Sequence, residues 1–488
     1  MTPMTSPSTS VTPRTTHLSV PTMAMLVVGS MVGAGVFSLP RQFAQSTGAA
    51  GALLAWGIAG TGTLMLALVF QMLAVRRPDL DAGVYAYAKA GFGEYLGFFS
   101  AFGYWASACV GNVTYWVLIT STLGAVVPAL GSGDTVLAVA VGSVGLWATF
   151  AIVRRGIREA TAVNRVVTAA KVVPIVVFVL LAAFAFDPQV FAENWGGEPG
   201  AGSLLSQVRG TMLATVFVFL GVEGASTFSR HARRRRDVGR ATLLGFGSVF
   251  ALFASVTIVS YGILPASELA TLEEPSMGAV LEAAFGSWGG TFVSVGLIIS
   301  VLGAYLAWTL MAAEVLLVAA RGHDMPRILA RTNRHDSPVP ALVLTTALSQ
   351  AVLLLTLASE HAFDFALELT GSLVLVPYLL AAAYGVRLLR RRTPATTSDD
   401  RAAEPAGRGP LVVAVLATLY TTWLLYAAGV DHLLVVFVVY APASVLFVLT
   451  RREQGRRWFS ARERVVLAVS LVGATVGLTA LLTGWIQL

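Results

Sequence analysis

The chain has 488 residues, 56% of them hydrophobic and only 12% charged, with a formal net charge of +7 and a sequence pI near 9.7. A soluble domain carries about twice that charged fraction; here apolar runs of twenty or more residues recur along the whole length, which excludes a globular soluble protein and indicates a polytopic all-helical membrane protein. The basic residues sit in short loops between apolar runs, as topology signals and not as a nucleic-acid surface, and the single cysteine, Cys109, excludes an intrachain disulfide or a cysteine-built metal site.

Residues 1–18 are a Ser-, Thr- and Pro-rich tail without the basic start and cleavage site of a signal peptide. Thirteen spans follow, at roughly 20–40, 51–75, 95–127, 135–153, 163–185, 207–229, 241–264, 288–320, 339–358, 365–390, 410–428, 432–450 and 463–486. The number is least fixed in the last three, giving about 12–13. We divide them into a ten-span core over 19–390, a linker over 391–409 and additional transmembrane helices over 410–488. With the N-terminus in the cytoplasm, all but three of the 33 Lys and Arg residues fall in the tail or in cytoplasmic loops; the exceptions are Arg41, Lys171 and Arg209. The expected location is the cell membrane.

The first span is interrupted. Gly29, Gly33 and Gly35 fall within seven positions of Val27–Phe37, and each glycine weakens a helix by roughly 1 kcal/mol against alanine. Opened backbone persists inside a bilayer only where protein, water or a ligand satisfies it. The next loop, Arg76–Lys89, is too polar to span, and its aromatics and small residues predict a short interfacial helix. Further on, the run His231–Arg236 reads as a stop signal near anionic lipid.

Span six carries a second interruption, Thr215–Ser226, with Gly221, Glu223 and Gly224 in an apolar run. Five spans separate the two breaks, and an odd offset makes a repeat of spans 1–5 by spans 6–10 inverted in the membrane. Paired glycine-interrupted spans in inverted halves are the sequence signature of a transporter binding site. A half-helix N-terminus suits a carboxylate and opened carbonyls suit an ammonium. The expected substrate is therefore an amino acid or a close relative. Glu223 at mid-span would cost about 2.5–3.5 kcal/mol facing lipid, so it faces the interior.

Five motifs stand in order: Gly29–Phe37, Pro78-Asp79-Leu80-Asp81-Ala82-Gly83-Val84-Tyr85, Gly111-Asn112, Phe219–Ser226 and Ala307-Trp308-Thr309-Leu310. Together they resemble the amino acid–polyamine–organocation superfamily, and within it the basic amino acid/polyamine antiporters, most of all the arginine–ornithine exchangers. The resemblance covers roughly 18–390. It implies a five-plus-five inverted-repeat fold with helices 1 and 6 broken, and exchange by alternating access with no cofactor.

The resemblance further implies a substrate site of Ser30, Met31, Gly33, Ala34, Gly35, Asn112, Phe217, Phe219, Leu220, Gly221 and Trp308, with Phe217 and Trp308 bracketing the side chain. It assigns gating and coupling to Tyr104 (an outer gate), Lys171, Glu223 and Tyr378. Lys171 resembles the lysine that replaces a sodium ion in proton-coupled relatives; snorkelling of its ammonium to the surface is the alternative. Two positions depart from the family pattern: Phe217 stands where a tryptophan is frequent, and Ala34 where a close relative has serine. Besides arginine–ornithine exchange, proton-coupled uptake of a cationic or neutral amino acid stays open, as does a membrane amino-acid sensor. Amino acids, protons, the bilayer and a second copy of the chain are the partners this reading admits. No catalytic constellation points to an enzyme.

Overall fold

The computed structural model describes residues 19–80, 83–156, 161–197, 202–224, 235–359, 361–390 and 408–486. The tail 1–18, most of the linker, the Ala225–Ser229 end of the sixth span and nearly all of the His231–Arg236 run therefore lie outside the described residues. Among those described, every regular element is a helix.

The first span begins at α1 (Val20–Met31), where the Ser19 hydroxyl caps the Thr22 N–H and Pro21 fits the first turn. Val32 turns extended, and the chain resumes as a 3₁₀ turn over Gly35–Ser38 and then α2 (Leu39–Ala44), bent 56° from α1. The second span, α3 (Ala49–Arg76), packs closely because Gly60 and Gly62 leave room for rings: a Cβ at either would lie 2.3 or 2.2 Å from Phe250 or Tyr420.

A short helix, α4 (Val84–Phe92), does form in the polar loop, but it is not open to the bilayer surface. Tyr85 and Tyr87 are buried, and it packs against α5 (Glu94–Gly124) and α15 (Ala362–Arg390). Almost all of α5 is buried, which is why it tolerates its Ser, Thr, Gly and Asn residues: it meets protein on every side and not lipid.

The remaining elements are α6 (Val136–Arg154), α7 (Thr161–Phe184), α8 (Pro188–Glu193), α9 (Leu204–Val218), α10 (Arg235–Ser260), α11 (Ala266–Thr271), α12 (Ser276–Phe285), α13 (Ser287–Arg321), α14 (Val339–Leu355), α16 (Arg408–Glu453) and α17 (Ala461–Leu482). Among the described residues, eight helices are long and apolar enough to cross a membrane alone, nine when the bent α1–α2 pair counts as one span. The polar α5 and the shorter apolar stretches of α7 and α9 take three more positions in the order. Gly429 (φ 83°, ψ 169°) breaks the 46-residue α16 into two crossings. That accounts for thirteen spans.

Two faces result. The ends of α3, α6, α13, α15 and α16 form a basic face with α4, while α8, α11 and α12 cover the opposite, acidic face. The three cations found off the basic face are each held. Arg41 forks onto Asp364, Lys171 reaches the Gly29 carbonyl, and Arg209 donates to the Ala427 carbonyl beneath the Tyr426 ring.

A candidate substrate site between two broken helices

The two interruptions meet. Ser30 Oγ is shared between the Val27 carbonyl (2.8 Å) and the Gly221 carbonyl (3.0 Å), tying the end of α1 to the break after α9. Gly221 has φ +96°, and a Cβ there would stand 2.3 Å from the Ser30 carbonyl oxygen. Glycine is needed for both reasons. On the other side of the break, a Cβ at Gly35 would lie 2.6 Å from the Phe217 ring.

Between the breaks lies a small cavity of about 20 Å3. Its floor is the opened first span, where the N–H groups of Gly33, Ala34 and Gly35 have no acceptor among the described residues. Such donors at the start of a helical segment bind anions. Its walls come from Phe217 and Leu220 on span six, Gly111 and Tyr115 on α5, and Trp308 on α13.

On the side of the basic face three buried side chains interlock. Tyr104 on α5 donates to one Glu223 oxygen, and Tyr378 on α15 donates to the other at 2.6 Å. The carboxylate thus joins spans three, six and ten. Towards the acidic face, Arg41 on α2 forks onto Asp364 at 3.0 and 3.2 Å and lies 3.5 Å from Glu274 in the segment before α12. Gln42 also donates to Asp364, and Ser276 N–H donates to Glu274 at 2.9 Å. Burial pushes the Glu274 carboxyl up to about 7, against the pull of Arg41. Arg41 is 13% exposed, and its one guanidinium faces both carboxylates. Lys171, buried on α7, donates to the Gly29 carbonyl at 3.3 Å and holds the opened end of α1.

The model of the amino acid permease family matches residues 18–481. The chain belongs to that family. Across almost its full length it is also similar to named transporters. It is 45% identical to an arginine/ornithine antiporter of Pseudomonas aeruginosa, covering 96% of this chain and 97% of that one. It is 38% identical to an L-lysine transport protein of Corynebacterium glutamicum, covering 96% of each. An arginine/ornithine antiporter of Latilactobacillus sakei is 35% identical, with 94% of this chain and 96% of that one covered. The permease is a multi-pass membrane protein with the five-plus-five fold of its superfamily, and its family and relatives are transporters, not enzymes.

Of the residues expected in the permease site, Met31, Gly33, Ala34, Gly35, Phe217, Leu220 and Trp308 line the cavity. Ser30 and Gly221 lie behind it as the clasp between the breaks. Asn112 turns its amide nitrogen to Thr309 (3.2 Å), while its Oδ1 is buried without a partner among the described residues. Phe219 does not line the cavity. It follows the last helical residue of α9, and the broken backbone swings its ring into a cluster with Trp56, Phe246 and Phe253.

Tyr104, expected as an outer gate, lies on the side of the basic face. Helix α5 starts at the basic face, so a residue eight positions before Asn112 lies about 12 Å nearer that face. The closure on the acidic side is instead Arg41 with Asp364 and Glu274, which the sequence marks only by an arginine off the basic face. Tyr115, Ser107 and Thr370 are further lining residues. For the first two, the signal was the stripe Ser107–Gly111–Tyr115, one residue per helical turn on α5; Thr370, on α15, has no such signal.

Proposed function

We propose that this permease exchanges arginine for ornithine across the cell membrane, with its N-terminus in the cytoplasm. The observation that carries the reading is the single cavity between two facing helix breaks, with unpaired N–H groups on one wall and aromatic rings on the others. The Gly33–Gly35 donors take the substrate carboxylate, a role that Ala34 leaves to the backbone. Trp308 and Phe217 bracket the cationic side chain; a guanidinium over such rings gains about 0.5–2 kcal/mol when desolvated. The buried Asn112 Oδ1, next to Gly111 in the cavity wall, is an acceptor matched to a guanidinium or ammonium donor. The names of the similar antiporters favour the arginine–ornithine pair over other basic amino acids.

Exchange follows from the two closures. With Glu223 held by both tyrosines and Arg41 held by Asp364, the site is sealed on both sides. Alternating access requires one set of contacts to open while the other stays formed. Bound substrate bridges the two breaks, so Ser30, Gly221 and Glu223 couple occupancy to the closure on the basic side.

A second reading is proton-coupled uptake. The Lys171–Gly29 contact favours it, because an ammonium that holds the opened helix is removed when the lysine loses its proton. One experiment separates the two. Purified protein is reconstituted in liposomes loaded with ornithine, loaded with arginine, or empty with an imposed proton gradient. Labelled arginine entering only loaded vesicles establishes exchange. Entry into empty vesicles driven by the gradient establishes proton coupling, and no entry in any batch overturns the substrate assignment.

A further inference from the structure

At the basic face, the end of α6 and the loop before α14 enclose a cleft of about 840 Å3 whose lining shares no residue with the cavity between the breaks. Arg154 and Arg155 enter it from α6, and Arg331 and Arg334 from the loop. None of these four guanidinium groups pairs with a carboxylate among the described residues. Arg334 donates only to the neighbouring His335 ring, at 3.2 Å. Other cations of the same face are neutralised: Arg77 by Asp79, Lys89 by Asp324, Arg451 by Glu94 and Glu463. Asp336, in the same loop, lines the neighbouring cleft.

The arginines converge because the loop is pinned. Asn333 Nδ2 donates to the Arg154 carbonyl (2.7 Å) and Ser337 Oγ to the Val153 carbonyl (3.0 Å). Asn333 Oδ1 accepts from the N–H groups of His335 and Ser337. Gly156, at φ +79°, lets the loop approach so closely that a Cβ there would lie 2.7 Å from His335 Cβ. A topology signal needs charge only; this loop also has a fixed shape.

The wall beside the arginines is apolar, from Phe150, Val339 and Pro340. Along α6 it continues into side chains that face outward from the protein, among them Val144 (71% exposed), Trp147 and Ile152. Trp147, seven residues before Arg154, packs edge-on against Phe150, the kind of aromatic that sits at headgroup depth. Guanidinium forks match phosphate oxygens, and the adjoining outward face matches acyl chains. We propose that this cleft is a binding site for an anionic phospholipid, with the phosphate among Arg154, Arg155, Arg331 and Arg334 and the acyl chains along α6.

The test is lipid titration of the full-length purified protein, followed by native mass spectrometry, with phosphatidylglycerol, phosphatidylcholine and inorganic phosphate as separate probes. Wild type is expected to retain phosphatidylglycerol in preference to phosphatidylcholine. The triple variant Arg154→Gln, Arg331→Gln, Arg334→Gln should lose more than about tenfold in that affinity. A control with Arg452→Gln, Arg457→Gln and Arg462→Gln changes the net charge equally on the same face and should keep it. Equal retention by wild type and the site variant overturns the proposal, and so does an equal loss in the control. Inorganic phosphate displacing phosphatidylglycerol at equal concentration reassigns the cleft to a soluble anion and also overturns it. If the triple variant does not fold, Arg331→Gln and Arg334→Gln alone, each an exposed side chain, carry the test. Wild-type affinity in both overturns the proposal.

Discussion

Each Glu223 oxygen accepts a hydrogen bond from a tyrosine on a different span. Glu223→Gln puts an amide NH2 where one phenol now donates, leaving a buried donor unsatisfied at about 1–3 kcal/mol. We expect exchange to slow at least about tenfold with expression retained, measured as labelled-arginine uptake into loaded liposomes. Wild-type rates across pH in that variant remove the coupling role. Gly221→Ala meets two obstacles, a left-handed backbone costing about 1–2 kcal/mol for an L-residue and the Ser30 carbonyl at 2.3 Å. It should lower thermal stability and abolish exchange together, whereas Trp308→Ala should weaken arginine binding and leave melting near wild type. Scintillation proximity binding and a melting curve on each protein check both expectations.

At the scale of elements, α2, the segment before α12 and α15 are linked through Arg41 and the carboxyl groups of Glu274 and Asp364. Burial raises the Glu274 carboxyl to about 7, above its value in an unfolded chain. A raised acid is protonated more readily when folded, so its contribution to stability is complete below the unfolded value and declines as pH rises through about 7. Arg41, Asp364, the Ser38 hydroxyl and the Ser276 N–H are the groups that face it. Melting of wild type should therefore lose stability between pH 5 and 8 relative to Glu274→Gln, since glutamine does not ionise. Parallel melting curves for the two proteins over that window would show that Glu274 does not titrate there. The same ionisation strengthens the hold on Arg41, so the closure is tighter above pH 7 than below it.

For the whole molecule, the sequence by itself determined the class, a count of about 12–13 spans and the two breaks. Lipid forces apolar runs of membrane length, and glycines cannot hide within them. It also isolated three cations off the basic face, and the structure gives each a partner, because an unpaired charge at such depth is unstable. Side-chain direction at the breaks was different. The resemblance put Phe219 in the site, but this residue stands one position past the end of α9, where the break and not a helix face sets the direction of its ring. The side of the cavity on which Tyr104 lies follows from the direction in which α5 runs. Tertiary structure alone decided the partners that lie hundreds of residues apart: Ser30 with Gly221, Tyr104 and Tyr378 with Glu223, and Arg41 with Asp364 and Glu274. Each pairing depends on how the two halves pack, a distance that no local pattern of residues encodes.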